Sequence, residues 1–345
     1  MDCETSGLPM MNHPESGGVN GHAPELSSAN LRAVFPDGDI YAVSDDETLL
    51  REAARYGLKA VAMDESGDLP EDSRVVLFLR NHLLSREIRK RFRASRVLFV
   101  PISSFDTELE SALYTLRLTF LTDYAAAVGR TRRWIDDLRS LTEPIGFVSN
   151  GPCSAGTPGT NIVCELADDL TLDAWASPTI GPGQWVGVGS YCEIAITSRG
   201  PAGKRPRPFT IDGTAVASGV LAARDPRFDE AGDARISAAD DVRRELNRRA
   251  PIIMRLKGGV LTDVRAGGED FTDALREVTN PEYDLHALEL GLGTNQHVLP
   301  HVDWTVNSQL NEGAGPVHIG FGDGMTGAHM DFVVAEAAHH FGPSD

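Results

Sequence analysis

From Asp39 to Pro101 the chain alternates short β-rich runs with amphipathic stretches, and no other feature restricts its fold as strongly. Ile40–Val43, Lys59–Met63, Val75–Leu79 and Val97–Pro101 have strand character, with Glu47–Tyr56 and Ser85–Phe92 as amphipathic segments between them. Such alternation favours a mostly parallel sheet with helices packed on its faces. Residues 105–141 continue with two helical patterns, in which Leu109, Leu113, Leu116 and Phe120 mark one apolar face at three- and four-residue spacing. After the first strand comes Val43-Ser44-Asp45-Asp46-Glu47 in place of a glycine-rich phosphate loop, so no nucleotide-binding role is expected of this sheet.

Residues 1–28 are rich in Ser, Gly, Pro, Asn and His and lack apolar periodicity. A segment of that kind cannot offset the entropy of ordering and is expected to be a disordered tail, with His13 and His22 solvated. The Pro/Gly/Ser-rich stretch Gly151–Gly159 is expected to mark a boundary or a long exposed turn. Beyond it the texture is β: Asn161–Leu166, Tyr191–Thr197, Phe209–Ile211, Ile252–Leu256 and Val260–Val264, with Gly258-Gly259 as a tight turn between the last two. Pro226–Arg249 is charged and reads as a surface insertion or helix, and Phe271–Val278 as a helix. The expected fold class is α/β: a tail over 1–28, a Rossmann-like α/β domain over 29–150, and a β-rich α+β domain over 151–345.

Fifty acidic residues against thirty-two basic ones give a formal net charge of −18. That balance repels phosphate backbones and anionic lipid headgroups, so neither nucleic acid nor a membrane surface is expected as a partner. Apolar runs such as Val76–Leu79 and Val97–Ile102 fall far short of the roughly 20 residues of a spanning helix. The start Met-Asp-Cys-Glu lacks the basic and apolar stretches of a secretory signal, which makes the cytoplasm the expected location. Cys3, Cys153, Cys164 and Cys192 show no CxxC spacing and are assigned no chemistry.

Metal-competent side chains concentrate between residues 286 and 331: His286, Glu289, His297, His301, Glu312, His318, His329 and Asp331. A single histidine in a strand is more often a packed or surface residue than a ligand, and His339-His340 near the chain end are read as solvated. The pattern His329-Met330-Asp331 is sharper, because residues i and i+2 of a strand face one side and can grip one ion together. His318 lies in a second strand-like run, Val317–Gly322. Imidazole mixed with carboxylate suits zinc, iron or manganese better than calcium.

In order and residue type, Leu288-Glu289-Leu290-Gly291-Leu292-Gly293-Thr294-Asn295, Asn311-Glu312, His318-Ile319-Gly320-Phe321-Gly322 and His329-Met330-Asp331-Phe332 resemble the motifs of thermophilic-type leucyl aminopeptidases and the related 2,5-dihydroxypyridine dioxygenases. Upstream, Cys192-Glu193-Ile194-Ala195-Ile196 and Thr210-Ile211-Asp212-Gly213-Thr214 resemble a further strand and turn of the same family, so the likeness spans about residues 159–334. The resemblance implies a metallopeptidase-like C-terminal domain in which Glu193 bridges two metals. Glu289, His318, His329 and Asp331 would complete the site, and Glu312 would act as general base. It also implies a tyrosine a few residues after the motif histidine, where this chain has Met325.

The function expected first is a metal-dependent hydrolase that recognises a peptide N-terminus with one or two zinc, manganese, cobalt or iron ions. A mononuclear non-haem iron dioxygenase is the second expectation. The third is a non-catalytic peptide-binding protein of a natural-product pathway of the crocagin-like ribosomal-peptide kind. A peptide or small-molecule substrate and a homodimer are the expected partners.

Overall fold

The computed structural model describes residues 26–149, 158–168, 170, 172–198, 208–224 and 230–342. Residues 1–25 of the expected tail, with Cys3, His13 and His22, lie outside the described residues, as do Cys153 and most of the expected boundary stretch. Leu26 packs against the core, and the Ser28 amide donates to the Tyr56 carbonyl at 2.9 Å.

The chain opens with β1 (Ile40–Ser44), α1 (Glu47–Arg55), β2 (Lys59–Ala62), β3 (Arg74–Phe78), α2 (Arg86–Arg91) and β4 (Arg96–Val100). Next come the two expected helices, α3 (Leu109–Leu121) and α4 (Tyr124–Ser140), followed by β5 (Ile145–Val148), β6 (Asn161–Leu166), β7 (Leu172–Asp173) and β8 (Trp185–Gly187). A single turn, α5 (Gly189–Cys192), leads directly into β9 (Glu193–Thr197), then β10 (Phe209–Ala217) and β11 (Gly219–Ala223). The charged segment is indeed a helix, α6 (Glu230–Arg248), and β12 (Ile252–Lys257), β13 (Val260–Ala266), β14 (Glu269–Asp270) and α7 (Thr272–Val278) follow. The last elements are β15 (Ala287–Gly293), β16 (Val317–Phe321), β17 (His329–Val334) and β18 (Ala338–Phe341).

These strands build a mixed α/β fold with three sheets. The first, in the order β2-β1-β3-β4-β8, is parallel throughout, as the alternation predicts. Helix starts follow local chemistry: the Asp46 carboxylate accepts from the amides of Thr48 and Leu49, and the Ser85 hydroxyl accepts from that of Ile88. Val76, Phe78, Leu98 and Val100 belong to one apolar cluster, and Val75, Leu77 and Val97 to another. Both faces of this sheet are therefore covered, which is why its strands read as continuous apolar runs.

The other two sheets are antiparallel, in the orders β14-β13-β12-β10-β6-β5-β18 and β11-β17-β16-β15-β9-β7. Gly258 and Gly259 form the expected turn between β12 and β13, both at positive φ. The two sheets share one core, to which the seven-stranded sheet brings Phe147, Ile162 and Met254 and the six-stranded sheet Ile194, Leu290, Ile319 and Phe332. Sheet membership does not change at residue 150: β5 joins an antiparallel sheet, and β8 is the last strand of the parallel one. Among the described residues, no helix is long and apolar enough to cross a membrane.

Candidate metal centre

Strand periodicity creates the site. On β9, β15, β16 and β17 the residues Ile194, Ile196, Leu290, Leu292, Val317, Ile319, Met330 and Phe332 enter the shared core. Their neighbours at odd steps turn to the opposite face, which carries Glu193, Glu289, His318, His329 and Asp331 on four adjacent strands. Glycines make room there. At Gly291, paired with His318 across the strands, an added Cβ would lie 1.9 Å from the imidazole Cε1. At Gly320 it would lie 2.7 Å from Asp331 Oδ1 and 2.8 Å from His329 Cε1. A bulge in β15 between Ala287 and Glu289 then returns Ala287 to the core face opposite Phe321.

His318 Nε2 lies 3.5 Å from Glu289 Oε1 and 3.6 Å from Glu193 Oε2, and His329 Nε2 lies 3.4 Å from Glu289 Oε2. Glu193, Glu289 and His318 each offer a ligand atom within 4.8 Å of the others, a group that could hold a metal ion. His329 Nε2 also lies 3.0 Å from Asp331 Oδ1, without the alignment of a hydrogen bond, and its Nδ1 is 2.7 Å from the Gly322 carbonyl. Glu193 Oε2, Asp331 Oδ1 and His318 Nδ1 are buried with no hydrogen-bond partner among the described residues. Buried polar atoms are seldom left so, and carboxylate oxygens orphaned beside two imidazoles fit a divalent cation.

Glu312 arrives from a 3-10 segment, Gln309–Ala314, and is 5% exposed. Helix α3 holds that segment in place: Thr115 Oγ1 donates to Ser308 Oγ at 2.8 Å, and the Tyr114 hydroxyl donates to Asn311 Oδ1 at 2.7 Å. Cys192, Leu310 and Ala314, which flank Glu193 and Glu312, pack into a core of the parallel sheet. A cleft of about 280 Å³ opens over the site, with Glu193, Glu289, Glu312, His329 and Asp331 among its lining residues.

Electrostatics follow from burying four carboxylates with two imidazoles. Burial, partly offset by His318 and reinforced by Glu289 and Asp331, pushes the Glu193 carboxyl up to about 8. Burial and then the charges of Glu193, Asp331 and Glu289 hold Glu312 well above the usual carboxylate range. Burial works against protonated imidazole, but hydrogen bonding to Glu289 and the neighbouring carboxylates outweigh it and raise His318 to about 9. Asp331 and Glu289 likewise overcome burial at His329 and hold it well above the ordinary value. For Glu289, burial is outweighed by hydrogen bonds from both imidazoles, which keep it ionised. An ion entering this site would displace protons from the ligands it takes.

The other metal-competent residues fall elsewhere. His286 Nδ1 contacts the Tyr283 carbonyl at 2.8 Å, and the exposed His297 binds at the junction of α3 and α4, where its Nε2 is 2.7 Å from the Leu121 carbonyl. His301 is exposed, and His339 packs against the Trp134 ring at 4.5 Å. Met325 is 39% exposed and is not among the residues lining the cleft. Phe105, Asp173, Ser190 and Gln309 do line it and have no motif of their own. Glycines alternating with ligand positions in β15 and β16 were the one signal in the chain that could have shown how closely these strands' side chains approach.

The sequence model of one protein family, described as crocagin biosynthetic protein CgnE/B, matches residues 37–342. The chain belongs to that family. Membership fits the natural-product expectation and assigns no peptidase activity. No curated protein matches the chain. Among solved structures, wild-type AmpT from Thermus thermophilus is similar at 15% identity, with a TM-score of 0.45 over 88% of this chain and 90% of that one. So remote a likeness does not bear on the chemistry.

Proposed function

We propose that this protein is a metal-dependent, aminopeptidase-like hydrolase acting on a peptide of a natural-product pathway. The observation that carries the reading is the convergence of four carboxylates and the His329 imidazole on the floor of one cleft, with the buried His318 imidazole 3.5 Å from Glu289 and buried ligand atoms left unpartnered. Glu193, Glu289, His318, His329 and Asp331 would hold one or two divalent ions, zinc, manganese, cobalt or iron. Such an ion lowers the pKa of bound water and polarises a peptide carbonyl. Glu312 lines the cleft beside these ligands and, once the charge of a bound cation had released its own proton, would take the proton from the attacking water and pass it to the leaving amine. In this reading the parallel sheet is a Rossmann-like support and the antiparallel sandwich the metallopeptidase-like half, and the protein works as a cytoplasmic homodimer.

Two observations favour a second reading, a peptide-binding protein without turnover: the family match, and an exposed Met325 where the motif resemblance implies a tyrosine. Elemental analysis and a panel of short peptides with free N-termini separate the two. Hydrolysis that falls by roughly 10²–10⁴-fold in Glu312→Gln, with metal content retained, supports the hydrolase. Peptides bound but uncleaved under zinc, manganese and cobalt would overturn it, and a single bound iron would point to the dioxygenase chemistry instead.

A further inference from the structure

The 3-10 segment that carries Glu312 presents a second side chain to the cleft. Gln309 stands three residues earlier, and in a 3-10 helix residues i and i+3 eclipse, so both side chains leave the segment on one side. Both line the cleft. The backbone beneath them is fixed: buried Ser308 accepts from Thr115, Leu310 is fully buried, and Asn311 Nδ2 donates to the carbonyls of Asp303 and Val306 at 3.1 and 3.0 Å. Against the amide lies Gly189 of α5, where an added Cβ would sit 2.4 Å from Gln309 Nε2 and 2.7 Å from its Cδ. The missing side chain at 189 is thus the space that the Gln309 amide fills.

That amide is positioned by packing alone. Its Oε1 is buried with no hydrogen-bond partner among the described residues. Its Nε2 has no partner there either but keeps accessible surface, and the opening that Gln309 lines is the metal cleft. Side-chain amides enclosed to this degree are nearly always bonded, because an unmet donor or acceptor costs more than a bond gains. The carboxylates around the cleft accept hydrogen bonds and, once ionised, donate none, so they offer nothing to a ligand's carbonyl oxygen. Gln309 supplies a neutral donor beside Glu312, and a neutral donor does not compete with a cation for those carboxylates.

We propose that Gln309 Nε2 donates a hydrogen bond to the carbonyl oxygen of the peptide bond held at the metal centre. The inference rests on the peptide reading given above and names the side chain that recognises this oxygen. Attack of water on the carbonyl carbon moves the C=O π pair onto the oxygen, and a donor already aimed at it gains strength as that charge grows. When the C–N bond breaks, its electron pair leaves with the amine, which takes the proton carried by Glu312, and the oxygen's pair restores the C=O bond.

The test uses the full chain with manganese, trialanine, and a phosphinic analogue of trialanine in which a tetrahedral anionic group replaces the first peptide carbonyl. Binding of both is measured calorimetrically, and cleavage of trialanine is followed on the same samples. Gln309→Ala should weaken the analogue by about 10²-fold and trialanine by roughly fivefold, with metal content and melting temperature unchanged. Where the wild-type protein cleaves trialanine, kcat should fall by about 10²-fold with little change in KM. Gln309→Glu keeps the shape and loses the donor, so it should lose at least as much. Gly189→Ala puts a methyl group in the space of the amide and should repeat the loss with Gln309 still present. Wild-type protein that binds both compounds and cleaves no peptide ends the hydrolase reading, while a larger loss for the analogue than for trialanine in the variants still upholds the donor. Cleavage left unchanged by Gln309→Ala, equal weakening of the two compounds, loss of metal from that variant, or no binding of either compound overturns the inference.

Discussion

At the carboxyl end of the parallel sheet the Asp45 side chain is 3% exposed, and its carboxylate accepts the amides of Arg80, Asn81 and His82 while facing His82 Nδ1 at 2.9 Å. In the six-stranded antiparallel sheet the Asp331 side chain is as deeply buried and that of Glu193 is 11% exposed, yet each keeps an oxygen with no hydrogen-bond partner among the described residues. The same functional group is thus fully satisfied in one sheet and left incomplete in the other. A satisfied buried carboxylate fastens loops; an incomplete one beside imidazoles is a place for something the chain itself does not supply. Surroundings explain the difference. Both faces of the parallel sheet are covered by apolar clusters, whereas the antiparallel sheet commits one face to the core and frees the other for polar side chains.

If packing governs the first sheet and unpaired charge the second, substitutions in the two should separate stability from metal content. The largest effect expected is Leu98→Ala in β4, which removes a fully buried side chain and should cost about 2–5 kcal/mol in denaturant unfolding while metal content per folded chain stays constant. A loss of metal in that variant would mean that the sheets are not separable in this way. Next, zinc or manganese at a hundredfold excess over its Kd should stabilise the wild-type protein by about 2.7 kcal/mol. Asp331→Asn should abolish that gain, and so should Gly291→Ala, whose new methyl would meet the His318 ring. A gain that survives both would place the ion elsewhere.

Asp45→Asn tests the opposite sheet. It turns a donor toward amides that need an acceptor and should cost about 1–3 kcal/mol, with no change in metal-induced stabilisation. The smallest effect is one of pH. Glu193 rises from 4.5 to about 8 on folding, and His318 from 6.5 to about 9. Protonation of both therefore favours the folded state, most fully at low pH, and that contribution is lost as pH rises through their folded values. The ion-free protein should lose a few degrees of melting temperature across that window, and saturating metal should remove the trend because the coordinated ligands are already deprotonated. A flat profile without metal would show that the cluster does not hold these protons.

The parallel sheet is legible in the sequence, because runs such as Val75–Leu79 and helices between them leave few other arrangements. His329 and Asp331 could be paired from their two-residue spacing, and the ordered motifs pointed to Glu193, Glu289 and His318 as their companions. Other lining residues escaped. Phe105, Asp173 and Gln309 reach the cleft from elements far apart in the chain, and an isolated Phe, Asp or Gln has no local signature. The routing of β5 and β8 into different sheets was equally hidden, since a strand's periodicity states which face is apolar and not which neighbour it will pair with.

What the chain determined by itself was therefore local: the alternation that makes a parallel sheet, the odd-step positions that carry carboxylate and imidazole, and the types of ligand available to an ion. Only the tertiary structure decided that four strands bring those positions to one face, that glycines at 291 and 320 let the side chains converge, and that α3 sets Glu312 beside them. The physical reason is range. Dihedral preference and side-chain period act over a few residues, whereas desolvation and the mutual repulsion of buried charges depend on distances that exist only once remote strands have paired.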